Sequence, residues 1–413
     1  MYHGVPSHSG LSRSMPDVKG SLEVLTSLKL DGAVYASPIA VNGVIVVATE
    51  NDSVYGFTTR GKRLWHVRVG KPSPAYEREC GNIDPLGITG TPIYSAQTGD
   101  VYLVAEHGGG GKVGHDLVAL SLRSGQVRWR KNIDLPGPTP AAMQQRGALA
   151  ITGGRVWVSF GAQFGDCSNY KGRVVGVLLN GTGKPVQYDP SPHRQGGIWN
   201  PAGPTVDAAG HLYVVSANGS TFPGDAYDHT NSVLELSKSG TLISSFAPAN
   251  WAQNNAGDVG LGSQGVALVG RKWAVLGGKS GPVYVLRQGH LGGIGGQVSV
   301  QNLCLSFGGS AVQGNVVYLP CTDGVRAVRV DSAGKLQVLW HASTSIAGSP
   351  VIGGGRVWAL DQNDGVLHAL DPATGKSLEQ VSVGETSRFA TPAIYGSLVL
   401  VPTLAGVVFV RIS

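Results

Sequence analysis

The residues with the plainest chemical options are the four cysteines, Cys80, Cys167, Cys304 and Cys321. None shares with another the short pair spacing of a zinc ligand set, so a zinc site is disfavoured, leaving two disulfides or four buried thiols. Other chemistry-bearing side chains stand in glycine-rich runs. His107 and His115 flank Gly108 to Gly111, a segment too loose for a metal site or, without a following helix, for a phosphate cradle. Asp225 and Asp228, near His229, read as a solvated loop. Asn218, in Ser-Ala-Asn-Gly, and Asp258, closing Asn-Asn-Ala-Gly-Asp, suit turns, where their side chains accept backbone N–H groups. Lys279 sits in a Lys-Ser-Gly hairpin turn, and Trp199 is broad enough to fill a channel wall.

What must position these residues is a repeat. Its clearest copy, residues 348–376, reads as three strands joined by turns at Gly353 to Gly355 and at Asn363-Asp364-Gly365. The first strand and its turn recur near residues 36–48, 90–105, 146–158, 202–214, 264–275, 309–319 and 390–401, which makes eight copies. Spacings of roughly 40 to 60 residues, with about four strands each, predict an all-β fold, an eight-bladed β-propeller of four-stranded antiparallel blades. The chain stops at residues 407–413 after only three strands of the last copy. The segment 21–30 is therefore expected to supply the missing outer strand and close the ring, removing two sheet edges. On this reading residues 1–20 are an N-terminal extension and 21–413 a single domain.

Composition agrees. The 62 glycines and 3 methionines suit many tight turns and few long helices, and no apolar run approaches the roughly 18 residues of a membrane span. The first residues do not read as a signal peptide, so a secreted or periplasmic protein would have lost its signal from this sequence. A formal charge of +6 spread along 413 residues forms no basic stripe, which argues against a nucleic-acid surface.

The predicted topology also sorts the cysteines. Cys80 and Cys304 precede first strands and Cys167 and Cys321 follow second strands, which places all four on one face of the disk. Disulfides Cys80–Cys167 and Cys304–Cys321 are expected, with the oxidising compartment they imply; four buried thiols remain the alternative. The same face gathers the long loops (70–87, 106–116, 161–172, 190–203, 217–231, 248–262 and 292–308), so the binding site is expected at its axial mouth.

The segments Ala-Leu-Ser-Leu-Arg-Ser-Gly-Gln-Val-Arg-Trp at 119–129 and Ala-Leu-Asp-Pro-Ala-Thr-Gly-Lys at 369–376 resemble the tryptophan-docking repeat of the quinoprotein dehydrogenases, with Ser121 and Glu379 departing from its Asp and Trp. Non-enzymatic propellers share that repeat, so it speaks for the fold and not for the chemistry. The loops are similar too. Gly-Ala-Gln-Phe-Gly at 161–165 resembles the family's Gly-Ala-Glu-x-Gly and puts Gln163 where the dehydrogenases hold calcium through a Glu. The resemblance makes Trp199, in Gly-Gly-Ile-Trp, the platform for pyrroloquinoline quinone, and Asn218 and Asp258 further calcium ligands, Asp258 being also the catalytic base.

Arg146, Lys171, Lys279 and Arg388 would then meet the carboxylates of the cofactor. Two departures bear on this. Gln163 is neutral, whereas calcium depends strongly on carboxylates, and only Cys80 stands where the dehydrogenases have a disulfide of adjacent cysteines. Three functions follow: a propeller binding a small anionic or glycan ligand without quinone or calcium, a quinone-dependent alcohol or sugar dehydrogenase, or a cofactor-free hydrolase resembling the tetrathionate hydrolases.

Overall fold

The structure is a computed structural model that describes residues 1–343 and 347–412. Short strands with alternating or fully apolar patterns pair in chain order into eight antiparallel sheets around an axis. Blade 1 runs Ile39–Val41, Val44–Ala48, Ser53–Thr58 and Arg63–Arg68 from the axis outward. Its burial falls from nearly complete in the two middle strands to alternating in the outer one, as expected where only the outer strand meets water. Blades 2 to 7 repeat the plan, blade 3 gaining a fifth strand at Met143–Gln144 and blade 4 a fifth, parallel one at Gly293–Ile294. The core is correspondingly divided into clusters between neighbouring blades; one joins Val46 and Val54 of blade 1 to Val101 and Val118 of blade 2.

Blade 8 closes the ring as the sequence predicts. Ala393–Tyr395, Leu398–Thr403 and Gly406–Ile412 come from the C-terminal end, and Leu22–Lys29 pairs with the last of them from Leu22↔Ile412 to Lys29↔Gly406. Ser413, the last residue of that expected strand, lies outside the described residues.

The docking tryptophans hold adjacent blades in register. Trp65 of blade 1 lies against Gly125 in the outer turn of blade 2, where a Cβ would come within 2.5 Å of the indole, and its Nε1 donates to Leu122 O at 3.0 Å. Trp340 repeats this on Gly375 and Pro372 O. Where Glu379 replaces the tryptophan, it instead accepts from Arg356 at 3.2 Å.

Residues 1–20 enter the fold rather than trailing from it. They run into the axial channel from the face opposite the mouth and use the free edges of inner strands. Val206 N–H donates to Pro6 O, Val312 N–H to Ser9 O and Ile352 N–H to Gly10 O, at 2.7–2.9 Å. Tyr2, His3 and His8 are buried together, with the Tyr2 and His3 rings stacked at 4.2 Å. This segment plugs the channel and stops pairing at edges that would otherwise be unpaired.

Two of the expected long loops are ordered differently. Residues 106–116 belong to a long hairpin, Asp100–Gly109 with Lys112–Ser121, whose tip donates Gly109 and Gly111 N–H groups to Glu77. Residues 251–257 form a short helix, Trp251–Gly257, too brief to show a helical period in the sequence.

Both disulfides are formed, Cys80–Cys167 and Cys304–Cys321, and no cysteine is free. The first closes a chain separation of 87 residues and the second one of 17. Loop entropy makes these worth about 4.5 and about 3 kcal/mol at most. Paired Cys→Ser substitution should therefore lower the denaturant midpoint more at Cys80/Cys167 than at Cys304/Cys321. Equal midpoints for both variants and the parent would contradict this.

Candidate functional site

On the cysteine face, the loops surround an axial cavity of about 770 Å³. Trp199 is set into its wall by backbone alone. Ile198 N–H donates to Phe160 O and Ala217 N–H to Gly197 O, both at 2.9 Å, while Gly161 leaves no room for a Cβ beneath Trp199. Its partly exposed ring faces Phe389 edge-on at 6.1 Å, and Phe307 lies 6.5 Å beyond Phe389. These three rings form an aromatic bowl, of which sequence reasoning found only the first.

Cations sit over that bowl. The Arg146 guanidinium is 5.7 Å from both the Trp199 and Phe389 rings, Lys279 Nζ is 5.7 Å from Trp199, and Arg388 is 4.0 Å from Phe307. Burial brings the Arg146 pKa down to about 10. Lys279 is neutralised by Asp258 at 2.8 Å. Arg146 donates only to the neutral Gln144, at 2.5 Å, and among the described residues neither it nor Arg388 has a carboxylate at ion-pair distance. Tyr2 and Tyr35 help line the cavity, with the Tyr2 hydroxyl 3.4 Å from Thr391 Oγ1.

Of the residues singled out from the sequence, Arg146, Gln163, Trp199, Asn218, Asp258, Lys279 and Arg388 line this cavity. Lys171 does not, which corrects the expectation. Its backbone pairs with Gln195 and its Nζ turns to Pro192 O at 2.7 Å, because the loop that carries Trp199 lies between it and the axis.

The oxygen donors do not fit calcium. Gln163 is 1% exposed and fully engaged: its amide donates to Met143 O at 2.9 Å and to the Glu106 carboxylate at 3.3 Å, and its oxygen accepts from Arg78 at 3.4 Å. Asp258 takes a left-handed conformation after the helix, and its carboxylate meets Lys279 and the Asn218 amide. Two carboxylates line the cavity, Asp166 and Asp258, but a lysine ammonium stands beside Asp258 and Arg78 beside Gln163, where a hard dication would need more negative charge. Asn255, which the sequence did not mark, fixes the helix to the 218–231 loop, accepting from Gly219 N–H at 2.8 Å and Asn231 at 2.6 Å.

Behind the cavity, between blades 1 and 2, lies a group of buried acids. Glu50 accepts from Gly87 N–H at 2.8 Å, whereas among the described residues neither Asp52 oxygen has a hydrogen-bond partner. Burial, with nearby carboxylates adding, pushes Glu50 up to about 7 and Asp52 up to about 8. His115 runs the other way: burial disfavours its charge, but Asp134 at 2.7 Å and Glu106 at 3.3 Å prevail and raise it to about 10.

An acid whose pKa is raised on folding binds more protons in the native state, so its contribution is present in full at and below about pH 4 and is lost steadily as pH rises from there to about 7 for Glu50 and about 8 for Asp52. Neutral, buried His3 and His8, lowered to about 4 and about 3, oppose this below pH 6.5. Asp52→Asn isolates the first effect. It should raise the melting temperature strongly at pH 8 and change it little near pH 4; an equal shift at both would contradict the assignment.

The comparisons agree with this architecture. Residues 21–171 match a family model described as outer membrane protein assembly factor BamB. Among solved structures, a europium-containing methanol dehydrogenase is 12% identical with a TM-score of 0.73, covering 100% of this chain and 97% of that one. BamB from Moraxella catarrhalis is 18% identical with a TM-score of 0.61, covering 94% and 97%. The computationally designed Ika8 protein is 15% identical with a TM-score of 0.60, covering 95% and 100%. No curated protein matches the chain. The whole chain shares the eight-bladed propeller fold of these structures, and the family match, to a PQQ-like propeller model, extends over residues 21–171. At these identities the solved structures speak for the fold alone.

Proposed function

We propose that this propeller is a binding protein for a small anionic ligand with a flat apolar face, held at the axial mouth. The observation that carries the reading is Arg146, a partly buried guanidinium wedged between Trp199 and Phe389, whose nearest carboxylates, Glu50 and Asp166, make no ion pair with it among the described residues. Removing a cation from water without a directly paired counter-charge is costly, and an incoming carboxylate or phosphate relieves that cost while the rings take up its apolar face. Arg388 supplies a second unpaired cation, and the cavity volume suits a small molecule. The two disulfides support an oxidising, secreted or periplasmic setting. Among the described residues no helix is long and apolar enough to cross a membrane.

Pyrroloquinoline quinone, a flat polycarboxylate, suits the bowl and its cations, but the calcium that accompanies it in the dehydrogenases does not suit these donors. No catalytic step is drawn through either. Asp258 remains the candidate base of a dehydrogenase, yet here it is an exposed carboxylate paired with Lys279. Calorimetric titration with the quinone, with and without calcium, tests the binding reading: calcium should make no difference. Affinity that appears only with calcium would favour the dehydrogenase instead.

A further inference from the structure

The face opposite the mouth carries a second cluster, unrelated to the aromatic bowl. Asp207 ends the inner strand Thr205–Val206 of blade 4, His211 precedes the next strand Leu212–Ser216, and Glu235 lies on the third, Ser232–Leu236. The turn between the first two strands fixes Asp207, whose Oδ1 accepts Ala209 and His211 N–H groups at 2.8 Å each. Its Oδ2 is left facing His211 Nδ1 at 3.5 Å, and Glu235 Oε1 approaches the same nitrogen at 3.0 Å. The three donor atoms all lie within 4.8 Å of one another.

Two features make this more than an ion pair. Glu235 is 0% exposed; among the described residues its Oε2 makes no well-formed hydrogen bond, the neutral Tyr213 hydroxyl being its polar neighbour, and no lysine or arginine pairs with it. A buried carboxylate with one histidine for a partner lacks the positive charge that such a group needs. The spacing also has a natural occupant. Donors around a tetrahedral zinc ion, bonded at about 2.0–2.1 Å, lie about 3.3 Å apart, between the two distances seen here.

We propose that Asp207, His211 and Glu235 bind one divalent transition-metal cation, zinc being the best match, on the face opposite the mouth. One imidazole nitrogen and two carboxylates supply a borderline donor set with two negative charges. Three protein ligands leave a fourth position for water, open to the cavity that Arg271 and Gln288 also line. The imidazole nitrogen distinguishes this set from an all-oxygen site for calcium or magnesium.

The test is calorimetry of Zn2+ into the chelator-treated full chain, its His211→Ala and its Asp207→Asn variants, with Ca2+ as the control ion. Asp207→Asn keeps the oxygen that caps the turn while replacing the ligand oxygen by a neutral amide NH2, so it reports on the site even if the other variant folds poorly. The parent should take up one Zn2+ and show a raised melting temperature, and it should prefer Zn2+ to Ca2+. Even supporting partners of metal ligands are worth about 10–100-fold in affinity, so loss of His211 should cost at least about 100-fold. The proposal is overturned if the parent takes up no Zn2+, if both variants bind it as the parent does, or if Ca2+ is preferred.

Discussion

Deletion of residues 1–30 should leave a protein that aggregates, whereas deletion of residues 1–12 should leave a folded monomer. The longer deletion removes Leu22–Lys29, which makes seven register pairs with Gly406–Ile412. It also uncovers the buried side chains of Val408 and Val410 that pack with Leu22. An exposed edge of that length is a template for pairing with another chain, and its hydrogen bonds are worth about 0.5–1.5 kcal/mol each. The shorter deletion leaves closure intact; it removes the plug formed by Tyr2, His3 and His8 together with the backbone partners of Val206, Val312 and Ile352, whose edges then face only the narrow channel. Size-exclusion chromatography and melting curves on both truncations check the pair. A 1–30 deletion that stays monomeric with the parent's melting temperature would sink the closure account.

The second large effect is expected at Arg146. Arg146→Met keeps an unbranched apolar stem between Trp199 and Phe389 and removes the charge. Relieved of an unpaired, partly desolvated cation, the protein should be as stable as the parent or more so, by up to about 1 kcal/mol, while losing its anion affinity. Trp199→Ala removes the stacking face and should weaken binding with the charge still in place. A drop in both stability and affinity on Arg146→Met would mean that the guanidinium is a structural strut. The combination of retained stability and lost binding is the signature of a ligand-facing group.

The blades, the closing strand and both disulfides could be read in the sequence because repetition magnifies weak local signals. A glycine turn between two short strands means little once and a great deal eight times over. The pairing of Cys80 with Cys167 followed from the same topology, since strand order fixes which loop ends share a face. The plug escaped notice because Pro6, Ser9 and Gly10 contribute only backbone oxygens to the inner strands, and backbone oxygens leave no trace in residue type. At the mouth the resemblance led to the right loops but not to their side-chain directions. Gln163 turns inward to Glu106 and Met143 O, and Lys171 outward to Pro192 O. Phe307 and Phe389 were missed because each stands alone in its loop, and only the closed ring brings them over against Trp199.

The central claim is that the mouth binds a flat anion through unpaired cations over aromatic rings, and one titration tests it most directly. Benzene-1,3,5-tricarboxylate is a flat aromatic tricarboxylate that fits the bowl and needs no metal. Added to the parent protein, it should give saturable one-to-one heat that weakens with salt, as charge pairing at a partly open site must. Arg146→Met should reduce its affinity by about tenfold or more, the worth of one charge-assisted hydrogen bond. Calcium and Gln163→Glu should leave it unchanged. No heat from the parent, or the same affinity in parent and Arg146→Met, would contradict the account.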